Sequence, residues 1–234
     1  MFENSLKSVV VLTGAGASAE SGLKTFRDHD GLWEGHRVEE VATPEAFAAN
    51  PSRVHEFYNL RRAQLKEVEP NKAHQALARF EQQFKGDFTL VTQNVDNLHE
   101  KAGSENVIHM HGELSKVRCT VSGDIYDWED DLSIETANPK KDLPKGTLRP
   151  HICWFGEAPF FMDEIMQAVS CADLFVAIGT SGVVYPAAGL VSMTPGHCEK
   201  VLINLEASDN TQAFDHHTYG PASVKVSEFF ANLA

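Results

Sequence analysis

Two histidines one residue apart, His109 and His111, and the amide-and-acid cluster Gln93-Asn94-Val95-Asp96 are the densest sets of chemically capable side chains in this sequence. An imidazole near its ordinary pKa can take up or release a proton at neutral pH, and Asn and Asp can hydrogen-bond a carboxamide. Four further sets carry complementary chemistry. In Gly14-Ala15-Gly16 two glycines let the backbone turn sharply and approach a ligand closely. Ser18 is placed to cap a following helix, whose free N–H groups favour a pyrophosphate. Thr180 and Ser181, after Gly179, can donate to phosphate or ribose oxygens, and Asn204 or Glu206, flanking Leu205, can accept ribose hydroxyls. Tyr58 and Arg61 lie three apart, on one face of an expected helix, where a phenol and an arginine fork can hold a carboxylate. Taken singly, each set is also ordinary turn, cap or core chemistry.

What makes these sets one candidate site is the element that precedes each. Val9 to Leu12, Phe88 to Thr92, Leu174 to Ile178 and Val201 to Ile203 are short β-branched or apolar runs, the pattern of strands buried on both faces of a parallel sheet. All end in polar residues, so a parallel sheet would bring Gly14, Gln93, Gly179 and Asn204 to one edge, where such folds bind ligands. Val107 to Gly112 reads as another strand whose alternation puts His109 and His111 on one face. A helix is expected over Met162 to Ser170, and apolar residues at Val54, Phe57, Tyr58, Leu60 and Leu65 recur at helical spacing between Pro44 and Phe84. Those helices occupy the place where a dehydrogenase would carry a second strand ending in an acid. Asp28 to Trp33 is loop material beyond the glycine turn, and Arg118 to Pro150, rich in Gly, Asp, Lys and Pro, reads as a small loop-rich module. The expected architecture is α/β, a doubly wound parallel Rossmann-like sheet formed by residues 1–34, 76–112 and 156–234. A helical insertion, 35–75, and the small module, 113–155, form a smaller domain across a cleft.

Composition narrows the partners. At 234 residues, 42% hydrophobic and 23% charged, the chain can bury a sizeable core. A net charge of −13 without a basic stripe argues against nucleic acid. No apolar run reaches membrane-spanning length and the start carries no signal-peptide pattern, which points to a cytoplasmic chain. Cys119, Cys153, Cys171 and Cys198 form neither a disulfide framework nor the spacing of a four-thiolate zinc site, so reduced thiols are expected.

The segments GAGASAESGLKTFR (Gly14 to Arg27), TQNVDNLH (Thr92 to His99), HMHGEL (His109 to Leu114) and RPHICWFGE (Arg149 to Glu157) carry a resemblance. With GTS (Gly179 to Ser181), NLE (Asn204 to Glu206) and YGPAS (Tyr219 to Ser223), in this order and over nearly the whole length, the chain resembles the sirtuins. These are NAD-dependent protein lysine deacylases, and the chain looks close to their bacterial CobB-type members. The resemblance implies NAD as a consumed co-substrate. The acyl-lysine amide oxygen attacks the nicotinamide ribose as nicotinamide leaves, and the acyl group ends on ADP-ribose. His111 is then the general base and Asn94 its catalytic neighbour, while His109 is structural. Asn94 and Asp96 would hold the nicotinamide end, Phe26 shield the ribose, Arg27 sit near the phosphates, Gln93 near the ribose and Ala222 against adenine. Gly14, Ala15, Gly16, Glu20, Trp33, Gly179, Thr180, Ser181, Asn204, Leu205 and Glu206 complete the implied cofactor set. Trp154, Phe155 and Gly156 would offer backbone to an acyl-lysine protein bound as an added strand. Tyr58 and Arg61, beside the small Ala42, imply succinyl or malonyl removal in addition to acetyl.

Two departures from the pattern stand out. Sirtuins usually bind a structural zinc through two cysteine pairs. Here Cys119 matches the first ligand, Ser122 replaces the second, and no Cys or His occurs from Thr120 to Pro150, so no zinc is expected, and the module is either held by packing, as through Trp128 and Leu132, or mobile. Ala17 stands where isoleucine is usual in the nicotinamide pocket. Two other functions fit parts of the sequence: a non-catalytic NAD or ADP-ribose sensor, and a metal hydrolase using His109, His111 and Asp96 as ligands.

Overall fold

The structure, a computed structural model, describes residues 6–24, 32–33 and 35–233. Phe26, Arg27 and residues 28–31 of the loop expected over Asp28 to Trp33 lie outside them, while its last two residues, Leu32 and Trp33, are strand rather than loop because they pair with His36 and Arg37. The elements in chain order begin with β1 (Ser8–Thr13), α1 (Ala15–Ser18), β2 (Leu32–Trp33), β3 (His36–Arg37) and α2 (Val38–Val41). Next come α3 (Pro44–Ala49) and α4 (Pro51–Gln64), each started by a proline behind a capping side chain. Thr43 accepts from the Ala46 N–H and Asn50 from the Arg53 N–H. Then follow α5 (Lys72–Gln83), β4 (Asp87–Thr92), α6 (Leu98–Lys101), β5 (Val107–His109), β6 (Gly112–Cys119), β7 (Ile125–Asp127) and β8 (Leu148–Ile152). The chain closes with α7 (Met162–Ser170), β9 (Leu174–Ile178), β10 (Glu199–Asn204), β11 (His216–Tyr219) and α8 (Ala222–Ala231).

Six strands form one sheet in the order β11-β10-β9-β1-β4-β5, every pairing parallel. Alternate residues of each strand feed opposite faces. Val9, Val11, Leu90, Val176 and Ile203 pack against α5 and α8 through Leu77, Phe80, Val226 and Phe230. Val10, Leu12, Val91, Phe175 and Leu202 pack against α7 and the 187–193 turn through Ile165, Val169 and Leu190. This is the doubly wound arrangement expected from the runs of β-branched residues.

A third cluster joins the helical insertion to the module: Val41, Ala42, Val54, Phe57, Tyr58 and Leu65 pack with Leu114, Ile152 and Trp154. Leu60 does not belong to it; expected on the apolar stripe, it is 56% exposed, because α4 turns His55 and Arg62 inward instead. Arg62 is admitted because its guanidinium donates to the Leu114 and Asp130 carbonyls and to Asn59. The segment expected as loop-rich contains a three-stranded antiparallel sheet, β7-β6-β8, closed over Val117, Leu132 and Leu148 with Trp128 packed against them. β7 was hidden by its shortness, and β6 and β8 by the charged residues Glu113, Lys116, Arg118 and Arg149 that interrupt their apolar pattern. No helix among the described residues is long and apolar enough to cross a membrane.

Candidate active site at the carboxyl edge of the sheet

Polar segments following β1, β4, β9 and β10 meet at one edge and, with the helical insertion and the module, enclose a cleft of about 490 Å³, the size of a cofactor site. Its floor is made by loops in unusually close contact. The Gly14 N–H donates to the Ile178 carbonyl and the Gly16 N–H to the Gly179 carbonyl, both at 2.9 Å. A Cβ on Gly14 or Gly16 would lie 2.7 Å from Gly179 backbone, and one on Gly179, where φ is +62°, would lie 2.3 Å from the Ala17 nitrogen. The glycines are therefore required first by this loop-to-loop packing, not only by approach of a ligand. The helix after them is also not the one expected. Helix α1 is a single turn whose N-cap is Gly14, and Ser18, expected as the cap, is its last residue.

Ser18 is instead the hub of a buried network. The His74 Nδ1 accepts from the Asn71 N–H in the capping box of α5, so its hydrogen sits on Nε2 and is donated to the Ser18 oxygen at 3.3 Å. The Asn94 amide also donates to Ser18, at 3.0 Å, and the Ser18 hydroxyl donates to Asp96 Oδ2 at 3.0 Å. Asn94 Nδ2 bonds the Gly14 carbonyl as well, so both amide hydrogens are committed and Oδ1 remains for a ligand donor. Below it, His99 donates to Thr13, Thr13 to Thr92, and Thr92 accepts the Asn94 N–H. Burial raises the Asp96 pKa, against hydrogen bonds from Leu98 and Ser18 that lower it. Burial likewise lowers His74, to about 4, and His99 well below the usual imidazole range, so both stay neutral.

His109 and His111 do not share a strand face. β5 ends at His109 and His111 sits in the turn that follows. His109 bonds the Asn94 carbonyl and, at 2.7 Å, Glu100; burial opposes its charge, but the Glu100 carboxylate outweighs burial and raises its pKa. His111 Nδ1 donates to the Gln93 carbonyl at 3.0 Å, which places the basic lone pair on Nε2, the nitrogen left to the cleft. Burial lowers the His111 pKa, partly offset by that carbonyl. The ligand set of a metal hydrolase is not assembled: among the described residues no group of three His, Cys, Asp or Glu side chains is gathered to hold a metal.

Ala15, Trp33, Gln93, Thr180, Ser181, Asn204, Leu205 and Glu206 line the cleft, as do Ala42, Tyr58, Arg61, Trp154, Phe155 and Gly156. Gln93 is fixed by donating to the Thr180 hydroxyl at 3.1 Å, and Asn204 by donating to the Thr180 carbonyl at 2.7 Å. Glu20 and Ala222 are not part of the lining. The Glu20 carboxylate accepts from the Ser223 N–H and hydroxyl, tying the 19–21 turn after α1 to the start of α8. The Trp154 and Phe155 N–H groups are already bonded, to Glu157 and to the Ala42 carbonyl. Ser18 lines the cleft, as its place in the glycine segment led one to expect, though not as a cap; Lys24, Gln64, Leu114 and Tyr185 also line it, though sequence reasoning did not place them there and no local signal marked them.

The residues fit a dinucleotide. Asn204 Oδ1 is buried without a partner, an acceptor awaiting a donor such as a ribose hydroxyl, and Ser18, Asn94 and Asp96 offer a carboxamide both signs of hydrogen bond. They do not fit zinc. Around Cys119 stand the Ser122 N–H at 3.4 Å and the Asn138 amide at 3.3 Å, which also bonds Thr147 at 3.0 Å. One thiol among a serine, an asparagine amide and a threonine offers none of the further thiolates or imidazoles that a structural zinc requires.

A Sir2 family model matches residues 14–186. The NAD-dependent protein deacylase of Rhodopirellula baltica is 56% identical over 236 residues, covering 97% of this chain and 99% of that protein. That of Escherichia coli K12 is 56% identical over 228 residues, covering 96% and 81%. A solved Sir2 homologue–NAD complex superimposes with a TM-score of 0.88 at 42% identity, covering 97% of this chain and 90% of that one. The chain belongs to the Sir2 family.

Proposed function

We infer that the protein is an NAD-dependent protein-lysine deacylase, converting NAD, water and an acyl-lysine chain into nicotinamide, O-acyl-ADP-ribose and the free lysine chain. The observation that carries this reading is the His111 ring. Its Nδ1 is pinned by the Gln93 carbonyl and its Nε2 is basic, above a floor of Asn94, Asp96 and Ser18. NAD supplies an electrophilic ribose carbon and a leaving nicotinamide. The chain's part is positional and acid–base: Asn94 Oδ1 and the Asp96–Ser18 pair orient the carboxamide end, and Asn204 with Glu206 takes the distal ribose. Thr180 and Ser181 donate between them, and His111 Nε2 removes a proton from a ribose hydroxyl. Phe26 and Arg27 are assigned to the ribose face and phosphates on the resemblance alone. Substrate enters beside Trp154 to Gly156 as an extended strand, and Ala222, outside the cleft lining, is assigned to adenine on the resemblance alone.

Tyr58 and Arg61 favour acidic acyl groups, succinyl or malonyl, over neutral ones alone. Both line the end of the cleft beside Ala42, and the Arg61 guanidinium is held 4.3 Å over the Phe57 ring while donating to the Phe57 carbonyl. A fixed guanidinium and a phenol pair well with a carboxylate. The test is turnover of acetyl- and succinyl-lysine peptides with and without NAD, in wild type, His111→Ala and Arg61→Met. Turnover needing NAD and abolished in His111→Ala is expected, and turnover without NAD, or retained in His111→Ala, overturns the mechanism. In Arg61→Met the succinyl peptide should lose at least tenfold more than the acetyl peptide; an equal loss removes the acidic-acyl reading.

A further inference from the structure

We propose that Trp154 is a specificity-determining residue for the acyl chain: its indole N–H fills the acceptor side of the Tyr58 hydroxyl and so turns the phenol's own hydrogen towards the acyl end of the cleft. The inference rests on the reading of Tyr58 and Arg61 as the acyl-carboxylate pair. Trp154 Nε1 donates to the Tyr58 oxygen at 2.9 Å, linking residues 96 apart in sequence. A phenol oxygen is conjugated with its ring, so its hydrogen lies near the ring plane on one side and its in-plane lone pair on the other. With the lone-pair side taken by the indole, the hydrogen is held on the opposite side. The Tyr58 side chain is fully buried, and among the described residues no acceptor takes that hydrogen. A buried donor without an acceptor is costly, and an acyl carboxylate is an acceptor that removes the cost. An acetyl group, lacking an oxygen at that depth, does not.

The indole can hold this position because it is clamped from the other side by the module. The Arg149 guanidinium lies 3.3 Å from the Trp154 ring centroid, and the Trp154 N–H donates to Glu157 Oε2 at 2.9 Å. Glu157 in turn takes both Arg149 nitrogens, at 2.7 and 3.0 Å, and Arg118 at 2.8 Å. The orientation of a phenol on α4 is thus set by residues of β6, β8 and the segment after β8.

The experiment measures kcat/KM for matched succinyl- and acetyl-lysine peptides with Trp154→Phe, Tyr58→Phe and the double variant. Trp154→Phe keeps an aromatic ring for Arg149 but deletes the donor, and a five- to tenfold fall in the succinyl-to-acetyl ratio is expected, the weight of one hydrogen bond. In the Tyr58→Phe background Trp154→Phe should change the ratio by less than twofold, because the group it orients is gone. A ratio unchanged in Trp154→Phe, or effects that multiply in the double variant, overturns the inference. If Tyr58→Phe and Arg61→Met also leave the ratio unchanged, the acidic-acyl reading fails first. If they move it and Trp154→Phe does not, only the role of Trp154 fails. Should Trp154→Phe not fold, ¹⁵N-tryptophan NMR of the wild-type chain reads the same bond. Its indole N–H signal moves downfield on binding succinyl peptide and not acetyl peptide, and equal movement with both overturns the inference.

Discussion

Replacing Asn138 with alanine tests how the module between β6 and β8 holds together without zinc. The Asn138 side chain, 6% exposed, makes three bonds: to Thr147 Oγ1 at 3.0 Å, to Cys119 Sγ at 3.3 Å, and from the Lys140 N–H at 2.9 Å. Lys140 is exposed, so its N–H regains water. The two inner bonds are not replaced, and the buried Cys119 sulfur is left to Ser122 and the Val121 N–H. A neutral buried bond is worth about 1 kcal/mol, and one to sulfur less. With the small void left behind, a loss of roughly 2–3 kcal/mol is expected. In a chain of this length that lowers Tm by roughly 5–10 °C. Because Thr147 directly precedes β8, which leads to Trp154, the same variant should raise the peptide KM more than the NAD KM. The assay is urea and thermal unfolding by circular dichroism, with metal content by mass spectrometry. A loss under about 0.5 kcal/mol would refute the hydrogen-bonded account. So would one equivalent of zinc in the purified wild type whose chelation lowers Tm.

Gly179→Ala should separate two loops packed at backbone distance and cost on the order of 3 kcal/mol, weakening NAD binding more than tenfold by calorimetry. Gly196→Ala, with open space at its Cβ, should stay within about 0.5 kcal/mol, and equal effects would refute the packing argument. Because burial lowers the His111 pKa, the acid limb of kcat/KM should have its midpoint below pH 6.5; a midpoint above pH 7 contradicts the neutral Nε2 base. His74 falls from 6.5 to about 4 in the folded chain, so the unfolded chain binds its proton first as pH drops. Its contribution is fully present above pH 6.5 and is lost between 6.5 and 4, up to about 3 kcal/mol. Urea unfolding at pH 7.5 and 5 should show about 2 kcal/mol of that loss, reduced in His74→Gln; an identical loss in the variant would show that His74 is not its source.

The parts of the fold that were legible are those where one local signal decides. The apolar runs of β1, β4, β9 and β10 have no competing pattern, Pro44 and Pro51 mark the starts of α3 and α4, and α7 spans the residues expected of it. What was not legible depends on tertiary partners. β11, all exposed, is a strand only because β10 supplies its ladder, and α8 is set by packing on α5. Ser18 reads as a cap because serine before a small-residue segment usually is one; only the approach of α5 and of the loop after β4 makes it a hub. His109 and His111 read as one face because alternation assumes the strand continues, whereas β5 stops at His109.

The same dependence explains why the site is placed where it is. A carboxamide-binding floor needs polar groups that are buried yet unavailable to one another, and a single loop cannot supply both conditions. Here the loop after β4 brings Asn94 and Asp96, but their orientation comes from below. His99, through Thr13 and Thr92, fixes the Asn94 backbone, and His74, through Ser18, fixes its amide and the Asp96 carboxylate. Each histidine is neutral with a single tautomer, so each chain of donors has one direction and ends on a group with one face left open. That open face costs the free protein an unmet hydrogen bond and costs the bound state nothing, which is the sense in which the floor is organised for its ligand before the ligand arrives.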